Sequence, residues 1–406
     1  MQLTYDESKP STQLRTILYI HHGKGLGGAP ISLLTLIKGL DRQRFRPLVL
    51  FLYDSAAIDL FRQEKIKVLG PINLSDFSHT QVYWFRWYHP HHLLKALFQS
   101  LLSFFVAYRL LKKIRPDAVH LNTSTLTTWG LAAHRLKIPV AWHIRESLAA
   151  GYLGFRRWII KNIIARCATI ILPICKTDGR FWKDNKKTVL YNPVDTARFN
   201  PGLSCKPTLP SGEATYLLFV GGLSHQKGTD FLLQVFEKVN KVLPYTKLII
   251  AGNFEKPVQQ GIQRWSPEKQ YAAAAYRRYE GLKKHIILTG PTTAIPSLMH
   301  QAALILFPAQ VDHFARPIIE AGCMGKAVLA SDFPQLREIV LPEKTGYLLS
   351  PTEVEAWAKK IIELVQAPNL LTHLGKENYT FCKNNFALEG YARQVEQVYR
   401  HLFTPS

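Results

Sequence analysis

Twice along this chain a short apolar run leads straight into a glycine-rich turn and then into a helix-length segment with apolar residues three and four positions apart. The first instance is Thr16 to Ile20, the turn Gly23 to Gly28, and Ile31 to Leu40; the second is Tyr216 to Val220, Gly221-Gly222, and Thr229 to Val242. A strand that is apolar throughout has no polar side to turn to water, so it belongs in a sheet covered on both faces, and crossover helices supply that cover in parallel sheets. The first half offers further strands at Leu48 to Leu52, Ile66 to Leu69, Ala118 to Leu121, Val140 to Trp142, Thr169 to Leu172 and Thr188 to Tyr191. The second half offers Lys247 to Ala251, Ile286 to Leu288, Leu304 to Phe307 and Val328 to Ala330. Helical patterns lie between them, which predicts two doubly wound, mostly parallel α/β sheets. Asn192-Pro193-Val194-Asp195, Phe199-Asn200-Pro201-Gly202 and the Ser/Pro/Gly-rich stretch to Gly212 break the pattern and read as a linker. The expected organisation is an N-terminal domain over 1–200, a linker over 201–212, a second domain over 213–386 and a final amphipathic helix over 387–406. A chain of 406 residues is long enough for two cores.

Five cysteines, Cys167, Cys175, Cys205, Cys323 and Cys382, show no metal-ligand spacing, and several sit in apolar runs. They read as buried free thiols in a reducing cytoplasm. The polar Met1 to Pro10 and the short run Ile17 to Ile20 do not make a secretory signal, so a cytoplasmic chain beginning at Met1 is expected. The net charge of +22 admits three partner classes: nucleic acid, an anionic membrane surface and an anionic substrate. No nucleic-acid recognition signature accompanies it, which sets nucleic acid aside. Basic clusters at Lys112-Lys113-Ile114-Arg115, Arg156-Arg157, Lys161 and Lys186-Lys187 all fall in the first half and suit the inner face of a cytoplasmic membrane. Within Gln81 to Lys113, the aromatics Tyr83, Trp84, Phe85, Trp87 and Tyr88 precede an apolar stretch with about 13 uncharged residues between Lys95 and Arg109, short of the roughly 20 that span a bilayer. Two readings stay open: a helix lying on the membrane, or one whose Leu97, Leu101, Phe104, Phe105, Tyr108 and Leu111 form the buried face of a domain helix.

The stretch Phe307 to Leu349 carries the chemistry. A buried strand at Leu304 to Phe307 ends at Pro308, and Pro317 suits the first turn of a helix that turns Ile318, Ile319 and Ala321 inward. Asp312 then lies in the loop and Glu320 on the helix, beyond the carboxyl end of the strand, where open α/β sheets bind ligands. A carboxylate can accept two hydroxyl hydrogen bonds, as recognition of a ribose or hexose requires. Next come Met324-Gly325-Lys326-Ala327-Val328-Leu329-Ala330, Glu338-Ile339-Val340 and Thr345-Gly346-Tyr347-Leu348.

This succession resembles the family-4-type retaining glycosyltransferases of the GT-B fold, in which two Rossmann-like domains face a central cleft. The family run is Glu-x7-Glu; here the first acid is Asp312 and the usual Phe-Gly after it is Phe314-Ala315. The resemblance implies transfer of a hexosyl group from a nucleoside diphosphate sugar to a glycan or lipid-linked hydroxyl, with retention, and with no cofactor or metal ion. It implies that Glu320 holds the nucleotide ribose, that Asp312 holds the donor sugar and that Glu338 lies at the edge of the donor pocket. Many relatives carry Arg and Lys after the first strand of the second domain to neutralise the diphosphate; here Lys227 remains, Gly222 takes the Arg position, and Arg316 is a candidate to compensate. Gly27 and Gly28 correspond to the family's Gly-Gly-Ala segment and imply a pyrophosphate or acceptor contact. His143, at the end of its strand, fits the family's histidine beside the donor sugar, and Glu146 is a candidate base on the acceptor hydroxyl. Two other readings remain at this stage: a sugar-nucleotide-binding protein without activity, and a sugar-nucleotide epimerase.

Overall fold

The computed structural model describes residues 14–23, 25, 28–74, 90–150, 152–202, 208–210, 212, 214–254 and 267–403. The chain divides into two compact units: Met1–Ile174 with Asp178–Tyr191 and Tyr391–Ser406, and Cys175–Thr177 with Asn192–Gly390.

The first unit runs β1 (Arg15–His21), α1 (Gly28–Lys38), β2 (Phe45–Phe51), α2 (Ala57–Gln63), β3 (Lys67–Leu69), α3 (Pro90–Ile114), β4 (Ala118–Leu121), α4 (Thr127–Arg135), β5 (Val140–Ile144), α5 (Phe155–Cys167) and β6 (Ile170–Pro173); of the short α6 (Lys176–Gly179) that follows, Lys176 and Thr177 are grouped with the second unit. The strands form one sheet in the order β3-β2-β1-β4-β5-β6, and every pairing in it is parallel. Side chains alternate across it. Leu18, Ile20, Val119, Leu121 and Trp142 face a core with Ala107 and Leu111 of α3, Trp129 and Ala133 of α4, and Ile160 and Ile164 of α5. Full burial of each Leu, Ile or Val contributes about 1.5–3 kcal/mol. Tyr19, His120 and His143 alternate onto the other face.

The second unit runs β7 (Thr215–Val220), α7 (Thr229–Val242), β8 (Thr246–Ala251), α8 (Pro267–Leu282), β9 (Ile286–Gly290), α9 (Ile295–Gln301), β10 (Leu304–Phe307), α10 (Arg316–Cys323), β11 (Val328–Ser331), β12 (Gly346–Leu349), α11 (Val354–Gln366) and α12 (Pro368–Phe386). Its six strands lie parallel in the order β12-β11-β10-β7-β8-β9. The last helix, α13 (Leu388–Phe403), belongs to the first unit from Tyr391 onward, where Tyr399 packs its ring on Tyr19 and Phe45.

Two expectations about elements change. Thr188 to Tyr191 is not a strand: Thr188 and Leu190 donate backbone N–H bonds to Ile171 and Pro173 of the edge strand β6, but the segment closes only one bridge, Ile171 with Lys187. Asn192-Pro193 follows at once, and a residue before proline is restricted and cannot be followed by a ladder donor. Conversely, Gly346 to Leu349 is a strand, pairing with β11 at the sheet edge. The helix α3 resolves the ambiguity of its segment in part: Ala107 and Leu111 are buried and Phe104 and Tyr108 pack on the core, while Leu97, Leu101 and Phe105 are exposed. The aromatic run Tyr83 to Tyr88 lies outside the described residues. Cys167, Cys175, Cys323 and Cys382 are buried and are not joined in disulfides.

Candidate active site at the strand ends of the second unit

The second sheet reverses direction between β7 and β10. From β7 the chain winds outward through β8 to β9, returns to the other side of β7 as β10, and winds outward again through β11 to β12. Loops leaving the carboxyl ends of β7 and β10 therefore part in opposite directions, and the crevice between such loops is where α/β sheets of this kind take ligands. The two loops are tied together. The backbone N–H of Gln310 donates to the carbonyl of Gln226 at 2.9 Å. Gly228, at φ 78°, sits so close to the end of β10 that an added Cβ would lie 1.8 Å from the carbonyl oxygen of Pro308.

The first loop, 221–228, is shaped by Thr229 at the start of α7. Its hydroxyl lies 2.7 Å from the Gly222 carbonyl and accepts the Ser224 N–H at 2.9 Å, so the turn curls over the helix N-terminus. Gly222 stands at φ 63°, and a Cβ there would meet the Asn253 carbonyl oxygen at 2.4 Å. The missing arginine at this position thus has a backbone cause: the loop packs against the chain leaving β8, and Leu223 donates to Asn253 at 2.7 Å. Lys227 rises from the same loop. It is exposed by area but ringed by enough protein that burial lowers the pKa of its ammonium. A lysine beside a helix N-terminus is suited to a phosphate oxygen.

The second loop holds Asp312, whose Oδ2 accepts from Nε2 of Gln335 at 3.3 Å. Pro317 stands in the first turn of α10, and one turn on, Glu320 is 9 % exposed. Arg316 Nε donates to Glu320 Oε1 at 2.7 Å. Burial pushes the Glu320 carboxyl up, and the charge and hydrogen bond of Arg316, with Arg198 further off, pull it back. Arg316 thus engages Glu320 through Nε, while its Nη1 is buried without a hydrogen-bond partner. Glu338 accepts the backbone N–H groups of Lys176 at 2.8 Å and Thr177 at 2.7 Å, and the Thr177 hydroxyl at 2.5 Å. Both of its oxygens hold the start of α6.

In the first unit, His143 is fully buried near the end of β5, its Nδ1 3.2 Å from Nε2 of His120. Burial, the charge of Arg145 and the neighbouring His120 hold its imidazole well below the ordinary range, so it is neutral. Glu146 takes the Thr123 hydroxyl at 2.7 Å, the Ser124 N–H at 2.8 Å and the Ser124 hydroxyl on one oxygen. Its carboxylate organises the turn after β4. Gly28 opens α1 with free space around its Cα, and Gly27 lies outside the described residues. Among the described residues no group of three or more His, Cys, Asp or Glu side chains is placed to hold a metal ion.

The partners Gln335, His120 and Tyr399 escape a reading of local motifs. His120 alone left a trace, as the one polar side chain in the apolar strand Ala118 to Leu121, in phase with Tyr19 across the sheet. A second concavity, about 630 Å³, opens near Pro201, His300, Lys326 and Tyr379, beside the amino ends of β10 and β11 and away from the loops above.

Residues 206–381 match the family model of glycosyl transferases group 1, and residues 26–198 match that of glycosyltransferase family 4. Over 276 residues the chain is 24% identical to the lipopolysaccharide core biosynthesis mannosyltransferase LpcC of Rhizobium leguminosarum bv. viciae, covering 67% of this chain and 74% of that protein. Over 322 residues it is 23% identical to the capsular polysaccharide biosynthesis glycosyltransferase CapM of Staphylococcus aureus, covering 75% and 82%. The crystal structure of Anabaena HepE in complex with UDP and glucose superposes with a TM-score of 0.73 over 95% of this chain and 99% of that one, at 18% identity, which establishes a common fold.

Proposed function

This chain belongs to the family-4-type glycosyltransferases of the GT-B fold, and we propose that it moves a hexosyl group from a nucleoside diphosphate hexose to a hydroxyl of a cell-envelope or surface glycan, with retention at the anomeric carbon. The observation that carries this reading is the joining of loops 221–228 and 308–315 at the switch point of the second sheet, which sets Lys227, Asp312 and Glu320 on the two loops and the helix that border one crevice. The names of the relatives support the glycan class, and the UDP and glucose held by the HepE structure support the donor class.

In this reading Glu320 accepts the ribose hydroxyls and Asp312 accepts hydroxyls of the hexose. The anomeric C–O bond breaks with its electron pair passing to the diphosphate, whose growing charge Lys227 and the N-terminus of α7 stabilise. The acceptor oxygen bonds to the anomeric carbon on the face the diphosphate leaves. Its proton passes to the departing phosphate oxygen, while one oxygen of Glu146 and both oxygens of Glu338 accept backbone and hydroxyl donors.

The test is to incubate the full chain with UDP-glucose, UDP-N-acetylglucosamine or GDP-mannose and measure free nucleoside diphosphate with and without glycan acceptors. Glu320→Ala is expected to abolish transfer and weaken nucleotide binding, and Asp312→Ala to cost turnover more than affinity. The anomeric proton coupling of the product reads retention. If both variants bound nucleoside diphosphate like the parent in titration calorimetry, the donor site would lie elsewhere; an epimerised nucleotide sugar as the only product would replace the transferase reading.

A further inference from the structure

The helices α3, α4 and α5 pack side by side over one face of the first sheet, and their outward faces share an unusual composition. On α3 the exposed residues Leu97, Phe98, Leu101, Leu102 and Phe105 form a stripe at three- and four-residue spacing, with Phe98 at 68% and Leu101 at 60% exposure. The stripe continues on the same side into the exposed Arg109 and Lys112. On α5, Phe155 and Trp158 are exposed at 56% and 61% and stack on each other, with ring centroids 5.8 Å apart. Just before them Leu153 projects fully into solvent from a left-handed backbone at φ 52°, a conformation that costs a non-glycine residue about 1 kcal/mol or more and buries nothing here.

Charge follows the same surface. The three helices carry nine Lys or Arg residues, four on α3, one on α4 and four on α5, and no Asp or Glu. Each helix returns from the carboxyl end of one parallel strand to the amino end of the next, so all three point the same way. The exposed apolar residues lie along the middle of α3 and at the amino end of α5, and the exposed cations Arg109, Lys112, Lys113, Arg135 and Arg166 lie toward the carboxyl ends.

We propose that this three-helix face docks the protein onto an anionic lipid bilayer, with Phe98, Leu101, Phe105, Leu153, Phe155 and Trp158 entering the headgroup–acyl boundary and the basic band resting on lipid phosphates. No helix among the described residues is long and apolar enough to cross a membrane. A second copy of the chain fits less well, because a twofold contact would set this acid-free basic surface against itself. Nucleic acid would engage the cations but leave the leucine stripe of α3 without a role.

This surface is tested without nucleotide sugar, so its failure and failure of the transferase reading are separate results. The full chain is floated with phosphatidylcholine vesicles, with and without phosphatidylglycerol, at low and high salt. Binding is expected only with phosphatidylglycerol and is expected to fall as salt rises. Phe98→Ser with Phe105→Ser, and separately Phe155→Ser with Trp158→Ser, are each expected to cut the bound fraction roughly tenfold with an unchanged melting temperature. Arg109→Glu with Lys112→Glu is expected to remove the dependence on anionic lipid. No flotation of the parent at low salt, or variants that float like the parent, would overturn the proposal. So would a parent dimer that the Phe98 and Phe105 changes dissociate while flotation stays unaffected.

Discussion

The hydroxyl of Tyr399, on the last helix, stands 2.8 Å from Nδ1 of His120, two residues 279 positions apart in the chain. His120 turns its Nε2 to Nδ1 of His143 at 3.2 Å, and all three side chains are fully buried. The chain of bonds has a preferred direction, because a phenol donates to an imidazole nitrogen better than it accepts from one. With Tyr399 donating, His120 carries its proton on Nε2 and donates to His143 Nδ1. His143 then carries its own proton on Nε2, a buried nitrogen that has no partner in the structure. On this argument His143 is a neutral donor, suited to the oxygen of a sugar hydroxyl rather than to taking a proton from an acceptor.

Tyr399→Phe is accordingly expected to shift the tautomer of His120 and His143, visible in long-range proton–nitrogen spectra of the imidazoles. Turnover should fall about tenfold with the nucleoside diphosphate affinity unchanged, and stability should fall by about 1–3 kcal/mol, the usual cost of leaving a buried polar group unpaired. His143→Ala should lower turnover further, by roughly two orders of magnitude. Unchanged nitrogen shifts in the Tyr399 variant would remove the relay.

The same burial makes a pH prediction. His120 is pushed down to about 3, first by burial and then by the charge of Arg145, and His143 is lowered for the same reasons with His120 added. In the unfolded chain both titrate near the ordinary 6.5. Below that value the unfolded state takes up protons that the native state refuses, so stability present above pH 6.5 is lost as pH falls toward the folded values. Between about pH 6.5 and 5 each histidine should remove about 2 kcal/mol. Urea midpoints measured across that range should fall, and fall less in His120→Asn; a midpoint that is flat with pH would show that the pair is solvated.

How much of this was readable beforehand depended on whether a contact is local. Leu304 to Phe307 and Thr16 to Ile20 are apolar on both faces, which leaves little alternative to interior parallel strands. Asp312 and Glu320 were placed on a loop and a helix by the proline that ends one element and the proline that starts the next. Gly346 to Leu349 carries no such signal, since an edge strand with three half-buried positions has no distinctive period. The commitments of Arg316, Glu338 and His143 lay outside any motif. They follow from partners that only the fold brings close, such as Thr177 beside Glu338 across 161 residues.

Gly222 offers a test of that distinction. Read by motif, the position lacks a cation, and Gly222→Arg would restore it. Read by structure, φ 63° and the Asn253 carbonyl 2.4 Å from any Cβ forbid a side chain. We expect Gly222→Arg and Gly222→Ala alike to lose about 1–3 kcal/mol from backbone strain, with neither raising donor affinity. A Gly222→Arg variant with an unchanged melting temperature and tighter nucleoside diphosphate binding would restore the motif reading.

Glu338 separates a pocket role from a scaffolding one. Its two oxygens accept from Lys176, Thr177 and the Thr177 hydroxyl, so its charge is spent where the N–H groups of α6 begin. Hydrogen bonds to a charged acceptor contribute about 1.5–3 kcal/mol, and Glu338→Ala would strand their donors. The expected result is a lowered urea midpoint and a faster amide exchange at Lys176 and Thr177. Glu338→Gln keeps one acceptor oxygen and should recover part of both. A residue at the rim of the donor pocket would behave in the opposite way, losing nucleotide-sugar affinity at unchanged stability, and calorimetry of Glu338→Ala alongside its denaturation curve distinguishes the two.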